Sequence, residues 1–183
     1  MKVIVAITGA SGAIYARKTL EQLIASPEVE QIALILSEQA TKVVPYEGVT
    51  LPEAEKIRCF DNGDMFASVA SGSAAWDAMV IVPASMGTVG RIASGVSLSL
   101  IERAADVMLK ERRRLVMVVR EAPYSLIHLR NMTALTEAGA IILPASPSFY
   151  SHPSTIDEAA QTVVERIISH IGIENDHFEF DGK

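Results

Sequence analysis

Short apolar runs recur along the chain at wide intervals. They are rich in β-branched residues and have no polar face, which is typical of central strands in a parallel sheet covered on both sides. The five runs are Val3 to Ile7, Ile32 to Leu36, Ala78 to Val82, Leu115 to Val119 and Ala140 to Leu143.

Helical periodicity occupies the stretches between and after these runs. It is clearest over residues 154–171, where apolar side chains recur at helical spacing without a gap. Ser154 or Thr155 can cap the start of this helix, and Gly172 is placed to end it. The same periodicity predicts helices over residues 13–25, 98–109 and 126–138.

Alternating strands and helices predict an α/β fold, a doubly wound parallel sheet of the Rossmann type with right-handed crossovers. We expect a single domain over residues 1–175, followed by a polar tail at residues 176–183. Residues 45–75 contain Pro45, Pro52 and several glycines, so the sequence predicts an excursion from the sheet there rather than a second domain.

Composition and charge narrow the possible functions. The 183 residues are 49% hydrophobic and 21% charged, a balance that excludes wholesale disorder. The net charge of −6 argues against general nucleic-acid binding but leaves room for a small anion in a local basic pocket. No apolar run reaches the roughly 20 residues of a membrane helix. The one cysteine, Cys59, cannot form an internal disulfide, which favours a cytoplasmic protein.

The carboxyl ends of the predicted strands are where ligands bind in sheets of this type. The first strand ends in Thr-Gly-Ala-Ser-Gly at residues 8–12, whose small side chains let backbone amides approach an anion at a helix N-terminus. A tight strand-to-helix turn without a ligand explains the same residues. The spacing of dinucleotide sites, G-x-G-x-x-G, is absent, so NAD is not predicted.

Two further strand ends carry polar groups. The third ends before Ser85, Met86, Gly87 and Thr88, where the hydroxyls either bind a ligand or cap the next helix. The fourth runs directly into Arg120 and Glu121. A charged pair after five apolar residues is either a structural ion pair or part of a site, and a phosphate beside Glu121 would raise the pKa of that acid.

The remaining polar candidates are less specific. Arg103 and Lys110 are two helical turns apart on one face and are followed by three arginines, which is also what a solvated basic face looks like. Tyr150 and Arg166 form a weaker pair by spacing alone. The four histidines have no metal-ligand spacing, so no metal site is predicted.

Taken together, these segments resemble the flavin prenyltransferases of the UbiX/Pad1 family. The resemblance runs from residue 1 to about residue 172, and its longest stretch, residues 101–132, is highly specific. It rests on ITGASGA, ASGS (Ala70 to Ser73), MVIVPASMGT, IERAADVMLKERRRLVMVVREAPYSLIHLRNM and LTEAGAIILPASPSFY followed by HP.

The resemblance implies a flavodoxin-like fold with strand order 3-2-1-4-5 and a homododecamer with sites at subunit interfaces. It implies bound FMN, reduced, as the acceptor of a dimethylallyl group from dimethylallyl phosphate, with bonds formed at N5 and C6 of the flavin. The prenylated FMN would serve partner decarboxylases of the UbiD type. No metal is implied.

The resemblance also assigns roles to residues of this chain. Glu121 would serve phosphate departure, and Ser11 and Glu47 would remove the C6 proton. Lys110 and Arg103, with Tyr150 and Arg166, would bind the prenyl phosphate. The residues implied to bind FMN are Gly9, Ala10, Ser11, Ser37, Ser85, Met86, Gly87, Thr88 and Arg120.

Two other functions fit the same segments. An FMN-dependent decarboxylase of the homo-oligomeric cysteine-decarboxylase type shares the fold and the Pro-Ala-Ser strand end. Such enzymes use an early histidine, whereas the first histidine here is His128, which favours transfer. The other is a non-catalytic flavin-binding subunit, against which the intact Glu121 and basic residues argue. The resemblance departs at Met65, where some members have an aromatic residue.

Overall fold

A computed structural model describes residues 1–175 of the chain, which form one six-stranded parallel sheet. The polar tail expected at residues 176–183 lies outside the described residues. The strands are β1 (Lys2–Ile7), β2 (Gln31–Leu36), β3 (Ile57–Phe60), β4 (Ala78–Ala84), β5 (Arg114–Val119) and β6 (Ile141–Pro144). The helices are α1 (Ala13–Ala25), α2 (Ala40–Tyr46), α3 (Met86–Ala93), α4 (Leu100–Lys110), α5 (Leu126–Glu137) and α6 (Ile156–Ile171).

The strands lie in the order β3-β2-β1-β4-β5-β6, so the predicted doubly wound sheet and its flavodoxin-like order are confirmed. Strand β3, which was not among the five predicted strands, lies within residues 45–75. The prediction of a mere excursion there is therefore only partly correct. The run Ile-Arg-Cys-Phe is short and half-polar because β3 is an edge strand, which within residues 1–175 pairs with β2 alone.

The core is divided between the two faces of the sheet. Alternate residues of β1 show the division, since Val3, Val5 and Ile7 pack with α1 and α6, whereas Ile4 and Ala6 pack with α3 and α4. Every residue of β4 is buried, as the uninterrupted apolar run predicts for a central strand. The sheet is thus a rigid platform whose strand ends hold the connecting turns in place.

The predicted helix boundaries are accurate where the sequence carries end signals. Thr155 caps α6, its hydroxyl accepting a hydrogen bond from the Glu158 amide, and Gly172 ends the helix in a left-handed conformation. The sequence gives no comparable signal for α2, which contains Pro45 and was not among the predicted helices. No helix among residues 1–175 is long and apolar enough to cross a bilayer.

Candidate active site

The order of the sheet creates a crevice between β1 and β4. The chain leaves these two neighbouring strands in opposite directions, since β1 leads toward β2 and β4 leads toward β5. This is the topological switch point at which α/β sheets bind ligands, and the crevice opens at the carboxyl ends of the strands. The turns at residues 8–12 and 85–88 form its two sides.

Thr8 joins the two turns. Its buried hydroxyl donates a hydrogen bond to the Pro83 carbonyl at 2.7 Å and accepts one from the Ser85 amide at 2.8 Å. The Thr8 amide also donates to the Pro83 carbonyl at 3.2 Å. These bonds fix the end of β1 against the end of β4, so the two turns have one defined separation.

The turn after β1 is closed by a carboxylate from α2's C-terminal end. Glu47 accepts hydrogen bonds from the Gly12 amide at 3.0 and 3.1 Å and from the Ala13 amide at 2.8 Å. Gly12, the residue before α1, has φ 118°, a conformation that glycine adopts without strain, and it provides no side-chain cap. Glu47 therefore does what an N-cap side chain does, from 35 residues away.

The environment of Glu47 favours its ionised form. Partial burial alone would raise the pKa of this carboxyl. Hydrogen bonds from the Ser11 hydroxyl and from the Ala13 and Gly12 amides, with the positive charge of Arg120, outweigh burial and hold the pKa below its usual value. The structure thus brings Ser11 and Glu47 together, as their paired assignment requires, and leaves a carboxylate there at neutral pH.

The turn after β4 is capped from within. The Ser85 hydroxyl accepts a hydrogen bond from the Thr88 amide, and the Ser85 and Thr88 hydroxyl oxygens lie 3.1 Å apart. Both hydroxyls therefore take part in a helix cap, which is one of the two interpretations open from the sequence. Capping does not use all the hydrogen-bonding capacity of Ser85. This residue is only partly buried, so its hydroxyl can still bond to a ligand in the crevice.

Arg120 and Glu121 follow β5 on the other side of β4. The Arg120 guanidinium reaches over to the first turn, where its Nε donates to the Ser11 carbonyl at 3.2 Å. Glu121 does not pair with Arg120 in the described residues; its carboxylate accepts a hydrogen bond from the Ala122 amide at 3.0 Å. The structural ion pair considered from the sequence is not formed, and Glu121 remains partly accessible.

Ser37 lies at the end of β2 and faces the same edge. Its hydroxyl accepts a hydrogen bond from the Ala40 amide at 3.1 Å, which caps the start of α2. Close packing links this turn to the first one, because a Cβ on Gly9 would lie 2.5 Å from the Gln39 Cβ. Gly9 is thus required by the approach of two turns rather than by its backbone angles.

The donors at this edge suit a phosphate-bearing ligand with a polar ring. Within residues 1–175 the amides of Ala10 and Ser11 donate to no protein group, and the same holds for Met86 and Gly87 in the first turn of α3. Such unpaired amides beside a helix N-terminus bind anions. Arg120 adds a positive charge. No cluster of three or more potential metal-ligating side chains occurs in the described part of the chain.

Lys110 and Arg103 lie elsewhere. Lys110 ends α4 just before β5 begins, whereas Arg120 and Glu121 follow the end of β5. The length of this strand, roughly 20 Å, therefore separates Lys110 from Arg120 and Glu121. Lys110 pairs with Glu111, and the Arg103 guanidinium contacts the Ala70 carbonyl at 3.1 Å and Asp106 at 2.7 Å. A single chain therefore does not bring Lys110 to Glu121.

Tyr150 and Arg166 occupy a third position beside β6. Tyr150 is exposed in the loop after β6, and Arg166 lines a cleft of about 290 Å³ between β6 and α6. His170, one helical turn after Arg166, lines the same cleft. Burial, and then the charge of Arg166, lower the pKa of His170.

Three residues that hold the site together were not singled out by sequence reasoning. Thr8 was considered only as part of a turn. A polar residue directly after an apolar strand was the feature that could have identified it. Glu102 lies in the apolar stripe of α4, where a charge is unexpected, and is 3% exposed. Arg91, one helical turn after Thr88, forms an ion pair with Glu102.

Comparisons with known proteins agree with this geometry. The family model described as Flavoprotein matches residues 1–172. The flavin prenyltransferase UbiX of Methanocaldococcus jannaschii is 43% identical over 182 residues, 98% of this chain and 97% of that protein. Its counterpart in Thermoplasma acidophilum is 45% identical over 181 residues, 96% of this chain and 97% of that protein.

Two solved structures extend the comparison. The crystal structure of AnUbiX (PadA1) in complex with FMN and dimethylallyl pyrophosphate is 40% identical, with a TM-score of 0.90 over 100% of this chain and 98% of that one. A dodecameric FMN-dependent UbiX-like decarboxylase from Escherichia coli O157:H7 is 37% identical, with a TM-score of 0.92 over the whole of both chains. The chain is a member of the flavoprotein family, in its group of UbiX flavin prenyltransferases.

Proposed function

We propose that the chain is a flavin prenyltransferase that joins a dimethylallyl group to N5 and C6 of reduced FMN. The observation that supports this most is the crevice between β1 and β4. Two turns with unpaired amides meet there, together with the hydroxyl groups of Ser11, Ser85 and Thr88. Arg120 contacts the first of these turns, and Glu121 follows it in the chain. The relatives named above supply the activity, and AnUbiX supplies FMN and dimethylallyl pyrophosphate as ligands of that protein.

The residues at the crevice fit a bound flavin phosphate and ring edge. Gly9, Ala10 and Ser11 would hold FMN from one side, and Ser85, Met86, Gly87 and Thr88 from the other. Ser37 and Arg120 would complete the set. When bound and reduced, FMN supplies the nucleophilic atoms N5 and C6. Everything else in the reaction concerns the phosphate that leaves and the proton that is lost.

The chemistry assigned to the side chains follows from their charges. An alkyl phosphate leaves readily only when its developing negative charge is neutralised, which Lys110, Arg103 and Arg166 would do, with Tyr150 as a further ligand. Glu121 would give the departing phosphate a proton. Glu47 is ionised, so with Ser11 it would accept the proton released from C6.

These roles require more than one subunit. Lys110 and Glu121 of one chain are separated by the length of β5, so Lys110 would come from a neighbouring chain. Helix α5 supports an assembly, because Leu135 alone of its residues is buried, while Leu126 and Ile127 are 61% and 68% exposed. The Escherichia coli relative is a dodecamer, and we propose the same assembly here.

The competing decarboxylase activity is less well supported. Such decarboxylases use an early histidine, whereas the first histidine of this chain is His128. The curated relatives with 43–45% identity are prenyltransferases. The basic residues Arg103, Lys110 and Arg166 suit a departing phosphate, which favours transfer. We further propose that the product serves a UbiD-type decarboxylase and that the protein acts in the cytoplasm.

The direct test is mass measurement of the flavin after turnover. Anaerobic mixing of the protein with reduced FMN and dimethylallyl phosphate should give a flavin heavier by one five-carbon unit, with phosphate released. The diphosphate is tested in parallel. Glu121→Gln should bind FMN yet lose turnover. Unmodified FMN in every reaction, with an active UbiX relative as positive control, would refute the proposed function.

A further inference from the structure

Glu102 is a buried charge with a complete set of partners. It lies in α4 among the apolar residues Leu100, Ile101 and Ala105 and is 3% exposed. One carboxylate oxygen accepts from the Arg91 Nε, and the other accepts from the amides of Leu98 at 2.8 Å and Ser99 at 3.0 Å. A buried carboxylate is costly unless it is paired and hydrogen-bonded, so this arrangement fixes Arg91 strongly.

Arg91 carries the connection into the crevice. Its Nη2 donates to the Thr88 hydroxyl at 3.3 Å, while its Nη1 lies over Gly87, 3.2 Å from where a Cβ would be. The guanidinium therefore spans Glu102 at one end and the first turn of α3 at the other. The planar fork of arginine allows both contacts at once.

The direction of the remaining hydrogen bonds follows from the chemistry of Arg91. A guanidinium only donates, so the Thr88 oxygen must accept. A hydroxyl that accepts from a cation becomes a better donor, which favours donation from Thr88 to Ser85 across their 3.1 Å separation. Ser85 then accepts from both the hydroxyl and the amide of Thr88, and its own proton is left for a group in the crevice.

We propose that Glu102 is a positioning residue for the flavin site. Through Arg91 and Thr88 it orients the Ser85 hydroxyl so that its proton points to an acceptor atom of the bound flavin. The Ser85 backbone is fixed independently by the bond between its amide and Thr8. This inference rests on the proposed function only in taking FMN as the ligand; it requires no prenyl transfer.

The network makes a specific prediction for FMN affinity, measured by quenching of flavin fluorescence. Gln at position 102 has one acceptor oxygen and an NH₂ group, so it cannot accept from all three N–H groups and releases Arg91. Glu102→Gln and Ser85→Ala should each weaken binding about threefold to tenfold, the effect of losing one hydrogen bond. Both should shift the visible absorption band of bound FMN in the same direction.

The double variant separates positioning from a structural role. If Glu102 acts through Ser85, then Glu102→Gln in the Ser85→Ala background should change the Kd by less than about twofold. Glu21→Gln, which removes a carboxylate from an exposed ion pair on α1, is the matched control and should leave the Kd unchanged. Multiplicative effects of Glu102→Gln and Ser85→Ala would overturn the proposal.

A second variant covers loss of folding. Arg91 is 48% exposed at its side chain, so Arg91→Lys keeps a cation for Glu102 but lacks the fork that reaches Thr88. It should weaken FMN binding as Ser85→Ala does, with an unchanged circular dichroism spectrum. Wild-type affinity in Arg91→Lys would refute the network. A wild-type protein that binds FMN without prenylating it would refute only the proposed function.

Discussion

The Glu47 carboxylate caps α1 from outside the helix, since it accepts a hydrogen bond of 2.8 Å from the amide of Ala13, 34 residues earlier in the chain. The positive end of a helix favours a negative charge at this position. The same carboxylate accepts a hydrogen bond from the Ser11 hydroxyl and is stabilised by the positive charge of Arg120. One side chain therefore joins the stability of α1 to the chemistry of the crevice.

Replacing Glu47 should affect both stability and turnover. Glu47→Gln should lower the free energy of unfolding by about 1 kcal/mol at pH 7, the usual value of an N-terminal cap. Prenylated FMN formation should fall by roughly 10² or more, because the proton acceptor is lost. Thermal melts and mass measurement of the flavin test the two effects.

The stability effect should also depend on pH. The folded pKa of Glu47 is lowered, so its contribution is complete above the unfolded value, near 4.5, and is lost as the pH falls through the folded value. The melting difference between wild type and Glu47→Gln should therefore shrink in acid. Glu55→Gln, an exposed control, should melt like wild type. Equal melting of Glu47→Gln and wild type at pH 7 would contradict the capping role.

The separation of Lys110 from Glu121 predicts complementation between subunits. Lys110→Met and Glu121→Gln should each be inactive alone. Unfolded together and refolded at equal ratio, they should regain activity in about one quarter of sites, since some interfaces combine an intact Lys110 with an intact Glu121. Prenylated FMN is the readout. No recovery in verified mixed oligomers would place both residues in one subunit's site.

Gly9 should tolerate no side chain. A Cβ at this position would lie 2.5 Å from the Gln39 Cβ, so Gly9→Ala must push the first turn away from the turn that holds Ser37. We expect a loss of about 1–3 kcal/mol in stability and weaker FMN binding. Gly63→Ala is the control, because the nearest atom to its added Cβ lies at 3.5 Å. Matching melts for the two variants would contradict the close packing.

Gly172 and Arg114 should show coupled effects on stability. Gly172 ends α6 with φ 85°, and the Arg114 Nη1, which donates to the Ile171 carbonyl at 2.7 Å, occupies the space of a Gly172 Cβ. Gly172→Ala should cost about 1–2 kcal/mol in backbone strain and also displace Arg114. With Arg114→Met it should cost less than the sum of the single changes. Additive losses in denaturant unfolding would argue against the contact.

His170 should make stability depend on pH in the acidic interval below 6.5. Burial, followed by the charge of Arg166, lowers its folded pKa below 6.5, so the unfolded chain binds more protons between the two values. Stability should rise with pH across that interval. His170→Asn should flatten this part of the curve measured by thermal melts. An unchanged slope would assign the titration to another group.

Much of the fold followed from local pattern alone. The apolar runs at Val3–Ile7 and Ala78–Val82 could be predicted as central strands because burial on both faces leaves no polar residues in them. The start and end of α6 could be predicted because Thr155 and Gly172 satisfy local backbone groups. Strand β3 could not be predicted, since a half-polar edge strand owes its structure to β2 rather than to its own periodicity.

The sequence by itself determined the family, the alternation of strands and helices and the residue types at the ends of the central strands. Only the tertiary structure decided which of them meet. It placed Glu47 on the first turn of α1, kept Lys110 a strand's length from Glu121, and linked Glu102 to Ser85 through Arg91. Periodicity and caps act over a few residues, whereas these contacts depend on the register and packing of distant segments.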